Sequence, residues 1–402
     1  MGFGDGPHDA ALKSAWDGFC DRLKATGQRV FKDHNPPTGA QRVDGFRFLT
    51  QNLGQAFDLA LETRDTRYPV FHSFCHPTRK LGGDSADFLY QQAWIDGTST
   101  YRITGHRGTA RFVNIAVHGP RQDSPGVLHE PFGDVPEANL TGADLHTAAD
   151  GSFEIHVGGS RRDANWLPTT PGSRKLFVRQ GFDRWDELPV HMSIEHVDMD
   201  APKPLPCPAE MVAAIEWAGD FLTGMMNDWP EYPFAHGGVD SEHPNRFPEL
   251  TSTGADAKRG RAAVNMHWQL ASDEALIIEF DAHEGLWTLT NMGAFFTSMD
   301  YLYRPVSYTP SRTTVDSDGR VRMVMCHGDP GHHNWLDTQG FERGNVTYRH
   351  MLEGEPAQLR TRLVKRAELA TALPSDTVTV TPEERTAQMW ERFRGIRLRY
   401  GW

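Results

Sequence analysis

The segment CHGDPGHHNWLDTQG, residues 326–340, gathers His327, His332, His333, Asp329 and the thiol of Cys326 into one loop rich in glycine and proline. Imidazole exchanges a proton near neutral pH, so such a cluster offers a general acid, a general base or a metal ligand. Spacing narrows the choice. Adjacent histidines in an extended segment point to opposite sides, so at most one of His332 and His333 faces a given site. Asp329 is then the carboxylate available to orient the imidazole that does the work.

Other reactive groups have less behind them. There is no G-x-S-x-G elbow, and Cys326 beside His327 has no supporting pattern for nucleophilic catalysis. The same holds for Cys75 between His72 and His76, so both thiols are read as small buried groups. The pair His72 and His76 would share a face only on a helix, and Pro77, Gly82 and Gly83 argue against one there. No cofactor is expected, with a divalent metal left as the alternative. No phosphate loop or dinucleotide fingerprint occurs.

The elements that must position this loop are visible as an internal repeat. HRGTARFVN begins at His106 and HEGLWTLTN at His283, which aligns Gly108 with Gly285 and Asn114 with Asn291 at one offset of 177. DGSFEIHV from Asp150 answers DGRVRMVM from Asp318, each a DG turn leading into strand alternation. NWLPT at 165–169 answers NWLDT at 334–338, and Arg179 and Arg349 close the two segments. Turn-setting Gly and Asp, with Trp166 and Trp335 as core plugs, account for what is shared. With Gly159 set against Gly328, the first copy carries Ser160, Arg161, Arg162 and Asp163 where the second carries Asp329, Pro330, Gly331, His332 and His333. The turn exists upstream without histidine, so the histidines are not needed to build it.

Residues 1–66 read as a helical segment, with Leu12, Ala15, Trp16, Phe19 and Leu23, then Phe46, Leu49, Leu53 and Phe57, at helical spacing. Residues 67–199 form a first β unit, 200–262 a proline-rich linker, helix and polar loop, and 263–360 a second β unit. In the tail, 361–402, Thr381 as N-cap, Pro382 at the first helical position and Glu384 three residues past the cap announce a terminal helix. Its arginine-rich end reads as a solvated or subunit-facing stripe. The expected fold is mainly β with flanking α-helices, built from two repeated antiparallel β-sandwich or jelly-roll-like units.

A net charge of −12 argues against nucleic acid or an anionic membrane as partner. Four scattered cysteines, no secretory signal and no long apolar run fit a cytoplasmic chain. A second polar group, Arg79, Asp84 and Asp87 with Tyr303 and Arg304, suits recognition of a polar organic molecule.

The strings LGGDSADFLY, YRITGHRGTARF, DGSFEI, NWL and above all GDPGHHNWLDTQGFERGNVTYRH resemble a bacterial family known as domain of unknown function twelve-fourteen, often found beside its twelve-fifty-four relative. The likeness runs from about residue 80 to the C-terminal RFRGIRLRYGW, and DPG-x-x-NWLDT-x-G is its most specific part. It implies a predominantly β, sandwich-like architecture and brings no reaction with it.

Two functions are therefore expected. One is an enzyme of hydrolase or lyase type acting by acid–base chemistry on a small to medium polar or aromatic substrate. In it His327, His332 or His333 is acid or base, Asp329 orients it, and Arg79, Asp84, Asp87, Tyr303 and Arg304 bind the substrate. The other is a non-catalytic carbohydrate- or small-ligand-binding protein. Self-association through the terminal helix is a further option.

Overall fold

Strict alternation along the strands decides the architecture. The computed structural model describes residues 6–120, 133–235, 238–250 and 262–402. The polar loop expected over 238–262 thus lies outside the described residues from 251 to 261. The first unit contains β1 (His72–Cys75), β2 (Phe88–Trp94), β3 (Tyr101–His106), β4 (Phe112–Gly119), β5 (Val135–Thr141), β6 (Ser152–Val157), β7 (Trp166–Leu167), β8 (Lys175–Gly181) and β9 (His191–His196). The second contains β10 (Ala262–Gln269), β11 (Glu274–Asp281), β12 (Leu286–Met292), β13 (Ser307–Tyr308), β14 (Arg320–Cys326), β15 (Trp335–Asp337), β16 (Arg343–Leu352) and β17 (Arg360–Lys365).

The two units have the same strand order. The sheet β1-β2-β8-β4-β5 corresponds, beyond its extra edge strand β1, to β10-β16-β12-β13, and β7-β6-β3-β9 corresponds to β15-β14-β11-β17. In each copy one short strand pairs in parallel, β7 on β6 and β15 on β14, while the other pairings are antiparallel. β17 pairs with β11 from Glu274 opposite Lys365 to Glu279 opposite Arg360, so the second unit continues past the boundary expected at residue 360.

Each unit is a sandwich. Leu89, Ile103, Val113, Ile155, Leu176 and Val178 from both sheets form the first core. Val264, Ile278, Leu289, Met323, Val346 and Tyr348 form the second. On one sheet of each unit, β1-β2-β8-β4-β5 and β10-β16-β12-β13, outward-facing residues are covered by helices α1 (Asp9–Gly27), α2 (Gly39–Phe57) and α3 (Pro208–Ala235). Phe19, Phe48 and Phe221 of this helical layer share one cluster with Phe88 and Phe177 of the first unit and with Leu286 and Met292 of the second. Burial of each large apolar side chain contributes roughly 1.5–3 kcal/mol.

The repeated NW pairs are structural in both copies. Asn165 donates to the carbonyls of His146 and Glu154 at 2.7 and 2.9 Å and accepts from His146 N at 2.9 Å. Asn334 does the same with Thr314 and Arg322, at 2.8, 3.0 and 3.0 Å. The indoles of Trp166 and Trp335 donate to Gly158 and Cys326 carbonyls at 3.0 and 3.3 Å.

After a short helix, α4 (Leu369–Ala372), the chain ends in α5 (Pro382–Tyr400). Thr381 and Glu384 form the expected capping box, and Gly401 closes the helix with φ 68°. The arginine stripe is in part a correction to the sequence reading: Arg394 and Arg397 are exposed, whereas Arg385, Arg392 and Arg399 are buried. Seven-residue spacing puts them on one side of the helix. Arg392 donates to Ser307 O at 2.7 Å, and Arg399 reaches Ala86 O and Arg184 O at 3.5 Å. Burial is the main cause that lowers both guanidinium pKa values to about 10.

Candidate functional site

The loop 326–340 is held by α5. Arg385 donates Nε to Asp329 Oδ2 at 2.9 Å and Nη1 to His333 O at 3.2 Å, and it also bonds the His332 carbonyl. Gly328 and Gly331, at φ 72° and 77°, supply the left-handed bends. Asp329, expected to orient a histidine, instead spends its carboxylate on Arg385 and on the Gly331 N–H.

The three histidines separate. His327 sets Nδ1 against Thr338 Oγ1 at 2.8 Å and Nε2 near Leu270 O at 3.5 Å, so both nitrogens are occupied within the fold. His332 bridges to Thr379 through the backbone, and burial lowers its pKa. His333 lines a cavity of about 390 Å³ beneath α5. Its Nδ1 lies 3.1 Å from Asn334 Oδ1, which already accepts from Thr314 N. That oxygen can only accept, so Nδ1 is the donor, and in the neutral ring Nε2 is the nitrogen that bears the lone pair.

Cations dominate the cavity. Arg312 and Arg392 line it with Trp185, Tyr308 and Ser311, and Glu391 is the acid on its wall. Arg312 lies 4.0 Å and Arg392 5.0 Å from the Trp185 ring centre. Asp87 pairs with Arg312 from below, through an oxygen that is fully buried. Arg312 Nη1 and Arg392 Nε are buried with no hydrogen-bond partner among the described residues. Tyr308 donates to His333 O at 2.8 Å and accepts from Trp335 N at 3.0 Å, and burial raises its pKa.

The expected substrate-binding set is dispersed. Asp87 acts through Arg312, whereas Asp84 lies on the wall of a different cavity. Arg304 pairs with Asp337 at 3.0 Å. Tyr303 is 61 % exposed and stacks on Phe393 at 5.6 Å. Arg79 packs its guanidinium against Gly54 of α2. Arg312, Arg392 and Trp185 were not signalled by any motif; the only trace of Arg392 is the spacing of seven in the tail. Both inner thiols are buried, and desolvation pushes Cys326 up to about 12. Among the described residues no group of three or more His, Cys, Asp or Glu could hold a metal ion, and no helix is long and apolar enough to cross a membrane.

The sequence pattern of the family described as "Protein of unknown function (DUF1214)" matches residues 90–180. A crystal structure of an uncharacterized protein from Burkholderia cenocepacia is 30 % identical and superposes with a TM-score of 0.79, covering 89 % of this chain and 99 % of that one. The chain belongs to the DUF1214 family. The VPA0106 protein of Vibrio parahaemolyticus is 12 % identical with a TM-score of 0.45, over 80 % of this chain and 98 % of that one. No curated protein matches. The DUF1214 match runs from within β2 to within β8, so it lies in the first sandwich, and the histidine loop is outside it.

Proposed function

We propose that this DUF1214 protein binds a small organic anion in the cavity beneath α5 and uses His333 for proton transfer on it, in a hydrolytic or eliminative reaction without a redox cofactor. One observation carries the reading: His333 and the two guanidinium groups of Arg312 and Arg392 line the same cavity of about 390 Å³. That volume is in the range of small-molecule sites, roughly 300–1,000 Å³. The arginines hold the anion, and Nε2 of His333, in the neutral ring, is the base; the Ser311 hydroxyl is already donated to Asp183 at 2.6 Å. All four cysteines are unpaired, which supports a reducing, cytoplasmic setting.

A second reading, ligand binding without conversion, has its own support. The partner of His333 Nδ1 is a neutral amide, and the carboxylate of Asp329 is taken by Arg385. Among the described residues no charged group therefore stabilises an imidazolium there by direct contact.

The two readings separate on one experiment. The full chain is incubated with a panel of small carboxylate and phosphate esters and β-substituted carboxylates, with product analysis and calorimetry on each. Acid–base catalysis predicts turnover that falls about 10²–10⁴-fold in His333→Gln while affinity is kept. Binding that is lost in Arg312→Met with every ligand recovered intact favours the second reading, and binding that survives Arg312→Met sinks both.

A further inference from the structure

The outer face of the sheet β1-β2-β8-β4-β5 carries a second cavity, of about 240 Å³, which shares no lining residue with the one beneath α5. Its cations come from both copies of the duplicated unit. Arg179 stands on β8 and Arg349 on β16, the corresponding strands of the two sandwiches, and both line it. Lys175, Phe177 and Arg179 alternate along β8 and so share its outward face.

The two acids on the wall are already committed. Asp134 is 3.1 Å from Lys175 Nζ and accepts from Arg174 Nε at 2.9 Å. Asp84 accepts from Ser298 N and Oγ at 2.8 and 2.5 Å. Arg349 gives one Nη to the Gly83 carbonyl, and its Nη1 is buried with no partner among the described residues. Three cations, Lys175, Arg179 and Arg349, thus stand against two acids around the cavity.

His118 is the unexplained group. It is 4 % exposed, lines the cavity, and neither ring nitrogen has a hydrogen-bond partner among the described residues. It stacks on Phe177 with ring centres 5.1 Å apart and planes at 17°. Burial, then Arg179 and Lys175, lower its pKa to about 2, against a raising contribution from the Asp134 backbone, so it is neutral. It therefore offers one N–H and one lone pair; the Asp134 backbone lies beside the ring without a well-formed hydrogen bond to either nitrogen, and so poor a satisfaction of both in the interior is unfavourable. Phe74, Tyr90, Phe177 and Trp229 supply flat apolar walls, with the Arg179 guanidinium 4.3 Å from the centre of the Phe177 ring.

We propose that this cavity binds a small carboxylate with a flat apolar body. Arg179 and Arg349 take the carboxylate, one from each repeat, and the His118 N–H completes its coordination. The aromatic side chains enclose the body. A carboxylate fits better than a phosphate ester because the walls are aromatic and the volume is small.

Benzoate is the probe, titrated into the full chain by calorimetry and by tryptophan fluorescence, with benzamide and inorganic phosphate as controls. Benzoate is expected to bind with a change in Trp229 emission that Trp229→Phe removes, and benzamide and phosphate to bind at least tenfold more weakly. Arg349→Met lowers benzoate affinity at least tenfold, and His333→Gln leaves it unchanged. His118→Phe keeps the stacked ring but removes the two idle nitrogens. It should weaken benzoate binding while raising the Tm of the ligand-free protein, a pairing that a purely structural histidine does not give. The proposal is overturned by absence of benzoate binding at millimolar concentration, by equal affinity in Arg349→Met or His118→Phe, by benzamide or phosphate binding as tightly as benzoate, or by a His118→Phe protein that melts below the parent.

Discussion

Arg385 and Asp329 form an ion pair at 2.9 Å between α5 and the histidine loop, and the same guanidinium holds the carbonyls of His332 and His333. The loop is thus shaped by a helix more than fifty residues further along the chain. Arg385→Met removes the cation, leaves the exposed Asp329 carboxylate without it and frees two carbonyls. The expected loss is about 2 kcal/mol of unfolding free energy in denaturant titration. Adding Asp329→Asn in the same chain should recover part of that loss; full additivity of the two changes would show that they do not interact.

The asparagines of the two NW pairs pin equivalent backbone segments, three hydrogen bonds each. Asn334 is buried and Asn165 is not. Asn334→Ala is therefore expected to cost about 3 kcal/mol and Asn165→Ala roughly half of that, because water replaces lost partners only at the open site. Equal midpoints for the two variants in urea would contradict this.

Among the loop histidines, function and stability should divide. His327→Gln breaks contacts to Thr338 and Leu270 and is expected to lower Tm by a few degrees with ligand affinity beneath α5 intact. Arg312→Met is expected to cut that affinity at least tenfold, since it removes a desolvated cation from the cavity wall. Calorimetry on both proteins with one anionic ligand checks the division.

Acid should destabilise the fold through histidines buried neutral. His118 is held near 2, and His34 and His267 near 4, each chiefly by burial and then by a nearby arginine. The unfolded chain takes up these protons near pH 6.5 and the folded chain only far below, so the unfolded state binds more protons across the interval. Stability is intact above about pH 6.5 and falls as pH drops from there toward 4. His118→Phe should flatten that slope in denaturation experiments at stepped pH, and an unchanged slope would show that His118 is not one of the groups responsible.

Much of the fold was written in local pattern. The DG turns at Asp150 and Asp318, the alternation after them and the Thr381–Glu384 box each depend on residues a few positions apart, and each formed as read. The repeat was also legible, because a copied strand order preserves its turn and pin residues. The parallel seats of β7 and β15 left no such mark, since a two- or three-residue strand is too short to show a period. The sites were harder. Arg179 and Arg349 were visible as matched residues, but that both line one cavity depends on how the two sandwiches meet. His118 is a single imidazole in an apolar strand, and only its environment sets it apart. The tail arginines were read as a solvated or subunit-facing stripe because buried guanidinium groups are uncommon; Arg394 and Arg397 are exposed, but the burial of Arg392 and Arg399 rests on carbonyls supplied by distant loops.

The helical layer that spans both sandwiches makes the molecule hard to take apart. Phe19, Phe48 and Phe221 are packed in one cluster with side chains from each repeat, so neither repeat owns its cover. A protease cut within the proline-rich stretch 200–208 would leave two fragments that stay together until denaturant is added. Either fragment expressed by itself would expose a greasy sheet face and aggregate.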